Sequence, residues 1–398
     1  MSDHTIRVLR DDAELREAHT LFRAALHVPP GGDEDWARAS RGYQPGRTFG
    51  VFDDRLIGTA QSIDAELTVP GGAAVPLAAV TRVGVRADRT RRGVLTDLMR
   101  AQFADFAERG VVAANLHASE GAIYGRFGYG VATIARRYAV DRRLARLRPE
   151  VPAGGEVELL DLDTALERLP AIYASLNRRA GMMTRPRFWW YDAEPSLRQG
   201  DEPLVTAVHH GPRGADGFVL YRVARTSATP GMLRVIDFHA GNADAFAGLW
   251  RFLLGVDLVQ EIEGMARPVD EPVELLFTDP RACRVTGAGD ETWLRLVDVP
   301  AALATRERAG DALVVEVLDP VLERNSGRYL VSPDEVTRTD EPAQLRLGVD
   351  ALAMIYLGAW RPSALAEVGR VSTTAPAAVA AADRLFGART APWCGTFF

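Results

Sequence analysis

No lysine occurs anywhere in the 398 residues, so all 47 basic side chains are arginine. That absence excludes chemistry built on a lysine Schiff base and phosphate loops built on a lysine ammonium. Cysteine is nearly absent as well. Cys283 and Cys394 are the only two, which leaves neither a disulfide framework nor a cysteine-rich zinc site. His209, His210 and His239 lack metal-ligand spacing, so no metal is expected. Excess positive charge is missing: 53 acids outnumber the arginines and the formal charge is −6, whereas a general nucleic-acid binder carries a basic footprint. Long apolar runs are missing too, since none approaches the ~18 residues that span a bilayer. The polar start Met1-Ser2-Asp3-His4-Thr5 has no apolar signal-peptide core. A cytoplasmic chain without nucleic-acid or membrane partners is the expectation.

What is present reads as two to three domains, at roughly 100–200 residues each. The first, over 1–145, alternates strands and helices. A strand over 5–9 leads to Asp11-Asp12, good helix caps, and an amphipathic run to Leu26. After Pro29-Pro30-Gly31-Gly32 comes an acidic stretch, Asp33-Glu34-Asp35, ending at Trp36. Strands are predicted over 48–52, 56–69 and 75–85. The last runs through an arginine-rich segment into a helix with Leu95, Leu98, Met99, Phe103 and Phe106 at helical spacing, stopped by Gly110. A buried strand over 111–116 completes a βαβ unit. The second domain, over 146–290, repeats this order weakly, with a helix capped at Asn242 carrying Phe246, Leu249, Trp250 and Leu253. The loop before that helix, Ala240-Gly241-Asn242-Ala243-Asp244, has no arginine. The third domain, over 291–398, reads as α+β.

The chemistry-bearing stretch is Arg86-Ala87-Asp88-Arg89-Thr90-Arg91-Arg92-Gly93, delivered by a strand to a helix start. The first N–H groups of a helix are unpaired and its dipole adds positive charge, so such a start is an anion site. Gly93 permits close approach, and Arg91 and Arg92 offer charge-assisted contacts to phosphate. A solvated basic loop is the alternative reading of the same residues.

Thr90-Arg91-Arg92-Gly93-Val94-Leu95 resembles motif A of the GNAT acetyltransferases, with Thr90 and Leu95 departing from its usual residues. The longer string, Arg91 to Leu95 followed by His117-Ala118-Ser119-Glu120-Gly121-Ala122-Ile123-Tyr124-Gly125-Arg126-Phe127-Gly128-Tyr129-Gly130, resembles the Eis (enhanced intracellular survival) family of bacterial acetyltransferases. The likeness continues through 217–223, 292–303 and 356–359. It implies an N-terminal GNAT domain, a degenerate second GNAT-like domain, a sterol-carrier-protein-like third domain and a homohexamer. It further implies transfer of acetyl from acetyl-CoA to amines of aminoglycoside-like antibiotics, polyamines, peptides or protein lysines.

By the same resemblance Val83, Gly84 and Val85 pair with the pantetheine amides. Arg91, Arg92, Gly93, Val94, Leu95 and Thr96 cradle the pyrophosphate, and Ser119 and Glu120 flank the acetyl end. Tyr124 is the implied general acid, and the α-carboxylate of Phe398 the implied general base, with His117 as its rival. Trp36, Arg82 and His117 are expected to line the amine channel. Ala25-Leu26-His27-Val28 has no acid to receive a cationic acceptor, and Asp33, Glu34 and Asp35 could compensate or simply be solvated. Cys394 reads as a packing residue. A protein that chiefly binds a lipid or partner through its third domain is the alternative.

Overall fold

The computed structural model describes residues 4–225, 231–373 and 376–398. The chain divides into two compact units. Met1–Thr133, Arg179–Pro195 and Asp290–Phe398 make the first, and Ile134–Arg178 with Ser196–Gly289 make the second.

The first unit opens with β1 (Thr5–Val8) and α1 (Asp12–Ala25). The Asp11 carboxylate caps α1 by accepting from the Glu14 N–H at 2.9 Å. The acidic stretch after the Pro-Gly break is the first turn of α2 (Asp33–Ala39), where negative charge meets the positive end of the helix dipole. Then come β2 (Thr48–Asp53), β3 (Arg55–Thr68) and β4 (Ala74–Val85). The helix α3 (Val94–Glu108) crosses from β4 to its parallel neighbour β5 (Ala113–Leu116), followed by α4 (Gly121–Tyr124) and β6 (Gly130–Val131). Leu98, Met99, Phe103 and Phe106 are buried on α3, as the spacing predicts, whereas Leu95 at the helix start is only partly buried.

The second unit begins with β7 (Ile134–Asp141), β8 (Glu156–Leu160) and α5 (Leu162–Ser175). The chain then returns to the first unit for 179–195, which carries most of α6 (Arg187–Arg198). Back in the second unit lie β9 (Val205–Gly211), β10 (Gly214–Ala224), β11 (Gly231–Ala240), α7 (Ala243–Gly255), β12 (Val259–Pro268) and β13 (Cys283–Asp290). The sheet order is β13-β7-β12-β11-β10-β9-β8, and β11 and β12 are parallel across α7. This repeats the β4-α3-β5 crossover. Its helix start is closed, however, because the Asn242 side chain accepts from the Ala245 N–H at 2.9 Å and Asp244 adds negative charge.

The remainder of the first unit runs through β14 (Trp293–Leu296), α8 (Val299–Thr305), β15 (Leu313–Leu318), β16 (Gly327–Val331), β17 (Val336–Arg338), β18 (Leu345–Gly348), α9 (Val349–Tyr356), α10 (Pro362–Glu367), β19 (Val371–Thr373) and α11 (Pro376–Leu385). Five of these strands form a sheet of order β17-β16-β15-β18-β19. β14 instead inserts between β5 and β6, giving a first sheet of order β1-β2-β3-β4-β5-β14-β6. Two strands thus cross the boundaries expected at 145–146 and 290–291: β7 pairs with β12, and β14 completes the first sheet. Sheet membership is set by pairing with distant strands, which local alternation does not encode.

One apolar core joins the two sheets of the first unit. Ile63, Leu67 and Leu77 from β3 and β4 pack with Val315, Tyr329, Leu347, Leu352 and Tyr356. Within that unit Arg295 is fully buried and makes two hydrogen bonds to Asp319, at 2.8 and 2.7 Å. Removing one partner strands the other charge without water, so Asp319→Ala is expected to lower the unfolding free energy by about 3–5 kcal/mol. Urea unfolding followed by tryptophan fluorescence measures this; a loss under about 1 kcal/mol, the scale of an exposed pair, would refute it.

Candidate active site

The site is a split in the first sheet. Parallel pairing of β4 with β5 runs from Leu77↔Ala113 to Ala79↔Asn115 and stops there. β4 continues to Val85 with β3 alone as its neighbour. The divergence coincides with a bulge: β3 advances from Thr59 to Gln61 while the facing β4 residues advance from Gly84 back to Thr81, one residue more. The extra length is absorbed at Arg82, whose φ is +48°. α1 lies directly on this half of β4, since a Cβ on Gly84 would stand 2.9 Å from the Phe22 Cα and 3.3 Å from the Ala25 Cβ.

At the end of β4 the chain enters the arginine-rich turn. Arg86 is bonded to Asp88 at 3.1 Å, and Arg89 to Asp53 and Asp88, each at 3.1 Å. Arg91 and Arg92 are exposed and have no partner among the described residues. Gly93, at φ +86°, is the N-cap of α3 and supplies no side-chain bond to it. No side chain at the N-cap takes up the first N–H groups of α3, on Val94, Leu95 and Thr96, and the two unpaired arginines immediately precede them in the chain. The counterpart helix start in the second unit differs in its cap: Asn242 closes α7, whereas Gly93 offers α3 no side chain, and each helix has one acid in its first turn.

Beyond the end of β5 stand His117, Ser119 and Glu120, the last two exposed on the turn into α4. Tyr124 closes α4. Its ring is buried against Tyr129, centroids 5.9 Å apart, and burial with Glu120 nearby pushes the phenol up to about 12. The hydroxyl therefore stays protonated through the neutral range.

The C-terminal tail is strapped into the same unit. The Trp393 N–H donates to the Ala180 carbonyl at 2.9 Å, and the Cys394 and Gly395 N–H groups donate to Glu291 at 3.0 and 2.7 Å. Arg185 donates to the Gly395 carbonyl at 2.7 Å and the Thr396 hydroxyl at 3.1 Å. His117 Nε2 donates to the Thr396 carbonyl at 2.9 Å, and Trp189 Nε1 to the Phe397 carbonyl at 2.7 Å. The rings of Phe397 and Phe398 lie 4.8 and 4.9 Å from that of His117. Because a carbonyl can only accept, His117 carries its proton on Nε2 and is committed to the tail. Burial also lowers its pKa. Cys394 is fully buried in the core, and burial raises its thiol far above the ordinary range, which leaves it a packing residue.

The other two expected channel residues meet in a second cluster. Trp36 packs between His19 and Tyr43, with centroids 5.6 Å from each, and donates to Asp12 at 3.1 Å. Arg82 lies over Tyr43, 4.4 Å from the ring centroid, and is hydrogen-bonded to Gln61 and ion-paired with Asp192. Arg82 is buried, so its charge is already spent on protein partners.

Three family models cover the chain: an acetyltransferase (GNAT) domain over residues 5–132, a second over 181–296, and a sterol carrier protein domain over 299–395. The N-acetyltransferase Eis of Mycobacterium tuberculosis is 37% identical over 332 residues, 80% of each chain. The chain belongs to the Eis family of GNAT acetyltransferases. An N-acetyltransferase of Streptomyces coelicolor, described as uncharacterized, is 40% identical over 368 residues, 87% of this chain and 88% of that one. The crystal structure of Eis1 from Mycobacterium abscessus superimposes with a TM-score of 0.92 at 41% identity, over 99% of this chain and 100% of that one. The three-part architecture and acetyl transfer expected of an Eis chain are thereby shown.

Five residues of this Eis-family site escape sequence reading: Gln61, Arg185, Trp189, Asp192 and Glu291. Arg185, Trp189 and Asp192 stand in the segment 179–195, which reads as part of the second domain and folds into the first unit. The one local signal is Arg185-Pro186-Arg187-Phe188-Trp189-Trp190-Tyr191, too aromatic and cationic for a solvent loop.

Proposed function

We propose that this Eis-family enzyme transfers acetyl from acetyl-CoA to a primary amine, with Tyr124 as general acid and the α-carboxylate of Phe398 as general base. The observation that carries the reading is the split of β4 from β5 beside an uncapped helix start flanked by two unpaired arginines. GNAT acetyltransferases as a class use acetyl-CoA. In this chain Val83, Gly84 and Val85 offer the strand edge for the pantetheine amides, and Arg91 to Thr96 the anion cradle. Ser119 and Glu120 border the acetyl end. As the amine attacks the thioester carbonyl its proton passes to the Phe398 carboxylate. The C–S bond then breaks, and the departing sulfur takes the phenolic proton of Tyr124. Isothermal titration with acetyl-CoA and an acetylation screen over aminoglycosides, polyamines, lysine peptides and aromatic monoamines test it. A chain that binds no acetyl-CoA would refute it.

Two charge-assisted phosphate contacts are at stake in the cradle, so Arg91→Ala/Arg92→Ala is expected to raise the acetyl-CoA KM at least about tenfold, the equivalent of ~1.4 kcal/mol, with kcat little changed. An unchanged KM would remove the cradle assignment.

Among acceptors, an amine carried on an apolar or aromatic frame is favoured over a polycation. The acids of α2 lie at the surface in weak pairs, Asp33 with Arg16 and Glu34 with Arg38, while Asp35 accepts from the Gly32 N–H. Those of α6 are engaged too, Asp192 with Arg82 and Glu194 with Arg41. Meanwhile Leu26, Val28 and Phe397 are exposed, Phe397 to 78%. We further infer the homohexamer and the cytoplasmic setting implied by the family. No described helix is long and apolar enough to cross a membrane. The alternative, lipid binding through the third domain, rests on the sterol carrier protein match over residues 299–395.

A further inference from the structure

We propose that Arg82 is a positioning residue, a clamp that holds the β4 bulge in the shape the acetyl-transfer site requires; the catalytic part of this inference rests on the function proposed above. The backbone at Arg82 occupies the left-handed region, φ +48°, where an L side chain is disfavoured. Such a conformation persists only when its surroundings over-determine it. Three elements do so here. Gln61 on the facing strand β3 accepts from the Arg82 guanidinium, Asp192 on α6 pairs with it, and Tyr43 lies beneath it at 4.4 Å.

Two of those partners are themselves fixed. Gln61 Nε2 donates to the Gly42 carbonyl at 2.9 Å. The Tyr43 hydroxyl is bonded to His19 Nδ1 at 3.1 Å, and His19 leans on Trp36. The guanidinium is planar and presents several donors at fixed angles, so one side chain can bridge two acceptors and stack on a ring together. Only 6% of Arg82 is exposed, which leaves it nothing to offer a substrate directly.

The place of the clamp gives it its consequence. Arg82 lies three residues past the last β4–β5 pair, Ala79↔Asn115, and immediately before Val83, Gly84 and Val85. The bulge decides which way the backbone groups of that segment face. Its loss therefore shifts the reacting thioester relative to Tyr124 while sparing the anion cradle at α3. A shift of ~1 Å at a reacting centre costs on the order of 10²-fold in rate.

The test uses Arg82→Ala, Arg82→Gly, Arg82→Lys and Asp192→Asn in the full-length protein. Arg82→Gly removes the clamp while allowing positive φ without strain, so it separates lost contacts from backbone misfit. Hydrogen–deuterium exchange over 80–86 should quicken in Arg82→Ala, Arg82→Gly and Asp192→Asn. kcat should fall about 10- to 100-fold while the acetyl-CoA KM stays within about twofold. Arg82→Lys, which keeps the charge for Asp192, should recover part of kcat, and Arg82→Ala/Asp192→Asn should be no slower than Arg82→Ala. Unchanged exchange in Arg82→Gly, or a raised acceptor KM at unchanged kcat, would overturn the clamp. Faster exchange in variants of a wild-type chain that acetylates no amine would support the clamp and refute the proposed function.

Discussion

Tyr124→Phe is expected to lower kcat by about 10²- to 10³-fold, the usual contribution of a positioned acid, with the acetyl-CoA KM within about twofold. The substitution deletes one oxygen and keeps the ring, so packing against Tyr129 survives. A loss confined to kcat identifies an interaction made only as the C–S bond breaks. Burial disfavours the phenolate and raises the pKa to about 12, so the proton is held below that value and given up only above it. Tyr124 thus adds no alkaline limb to the kcat profile through the usual phenol range near 10. Tyr129→Phe supplies the comparison. Its hydroxyl is buried without a hydrogen-bond partner among the described residues, so removing it should change kcat by less than about threefold and leave stability equal or slightly higher. Steady-state kinetics over pH 6–10 on both variants measure this. Full activity in Tyr124→Phe, or equal losses in the two, would remove the acid assignment.

The β4-α3-β5 unit was legible because each of its signals is local. Leu98, Met99, Phe103 and Phe106 mark a helix face, Gly110 its stop and Gly93 its start. The repeat in the second unit was legible for the same reason, and the Asn242 cap takes up the Ala245 N–H at its helix start. What stayed hidden depends on partners far along the chain. Nothing near Arg82 marks a bulge, because the extra residue exists only relative to Thr59 and Gln61 on β3. The resemblance places Arg82 in the amine channel, and in the fold its cation pairs with Asp192, 110 residues away. Glu291, which the sequence marks only as the start of the third domain, is buried under the tail it holds. The Arg86, Arg89, Arg91, Arg92 run was legible as a cluster, while its division into two paired and two unpaired cations required Asp53 and Asp88 in place.

A loss of similar size is expected at the other end of the proton path. Adding one glycine after Phe398, or deleting Phe398, should cut kcat by about 10²-fold or more while acetyl-CoA binding by titration is preserved. The reason lies in how the tail is held. Carbonyls of Gly395, Thr396 and Phe397 accept from Arg185, His117 and Trp189, and N–H groups of Cys394 and Gly395 donate to Glu291. Three consecutive peptide carbonyls are anchored, so the group that follows is held within one residue's reach. No described side chain pairs with the Phe398 carboxylate, which leaves it available to accept a proton. An added residue moves that charge by up to ~3.5 Å, beyond hydrogen-bond reach of the same amine. His117 is the rival, and His117→Gln separates the two. Glutamine keeps an N–H donor for the Thr396 carbonyl but cannot take up a proton near neutral pH. If the carboxylate is the base, His117→Gln holds kcat within about tenfold, whereas loss of a general base costs 10²- to 10⁴-fold. His117→Ala should fall further than His117→Gln, since it frees the tail. Full turnover in the extended chain, or a collapse of kcat in His117→Gln equal to that in His117→Ala, would shift the assignment from Phe398 to His117.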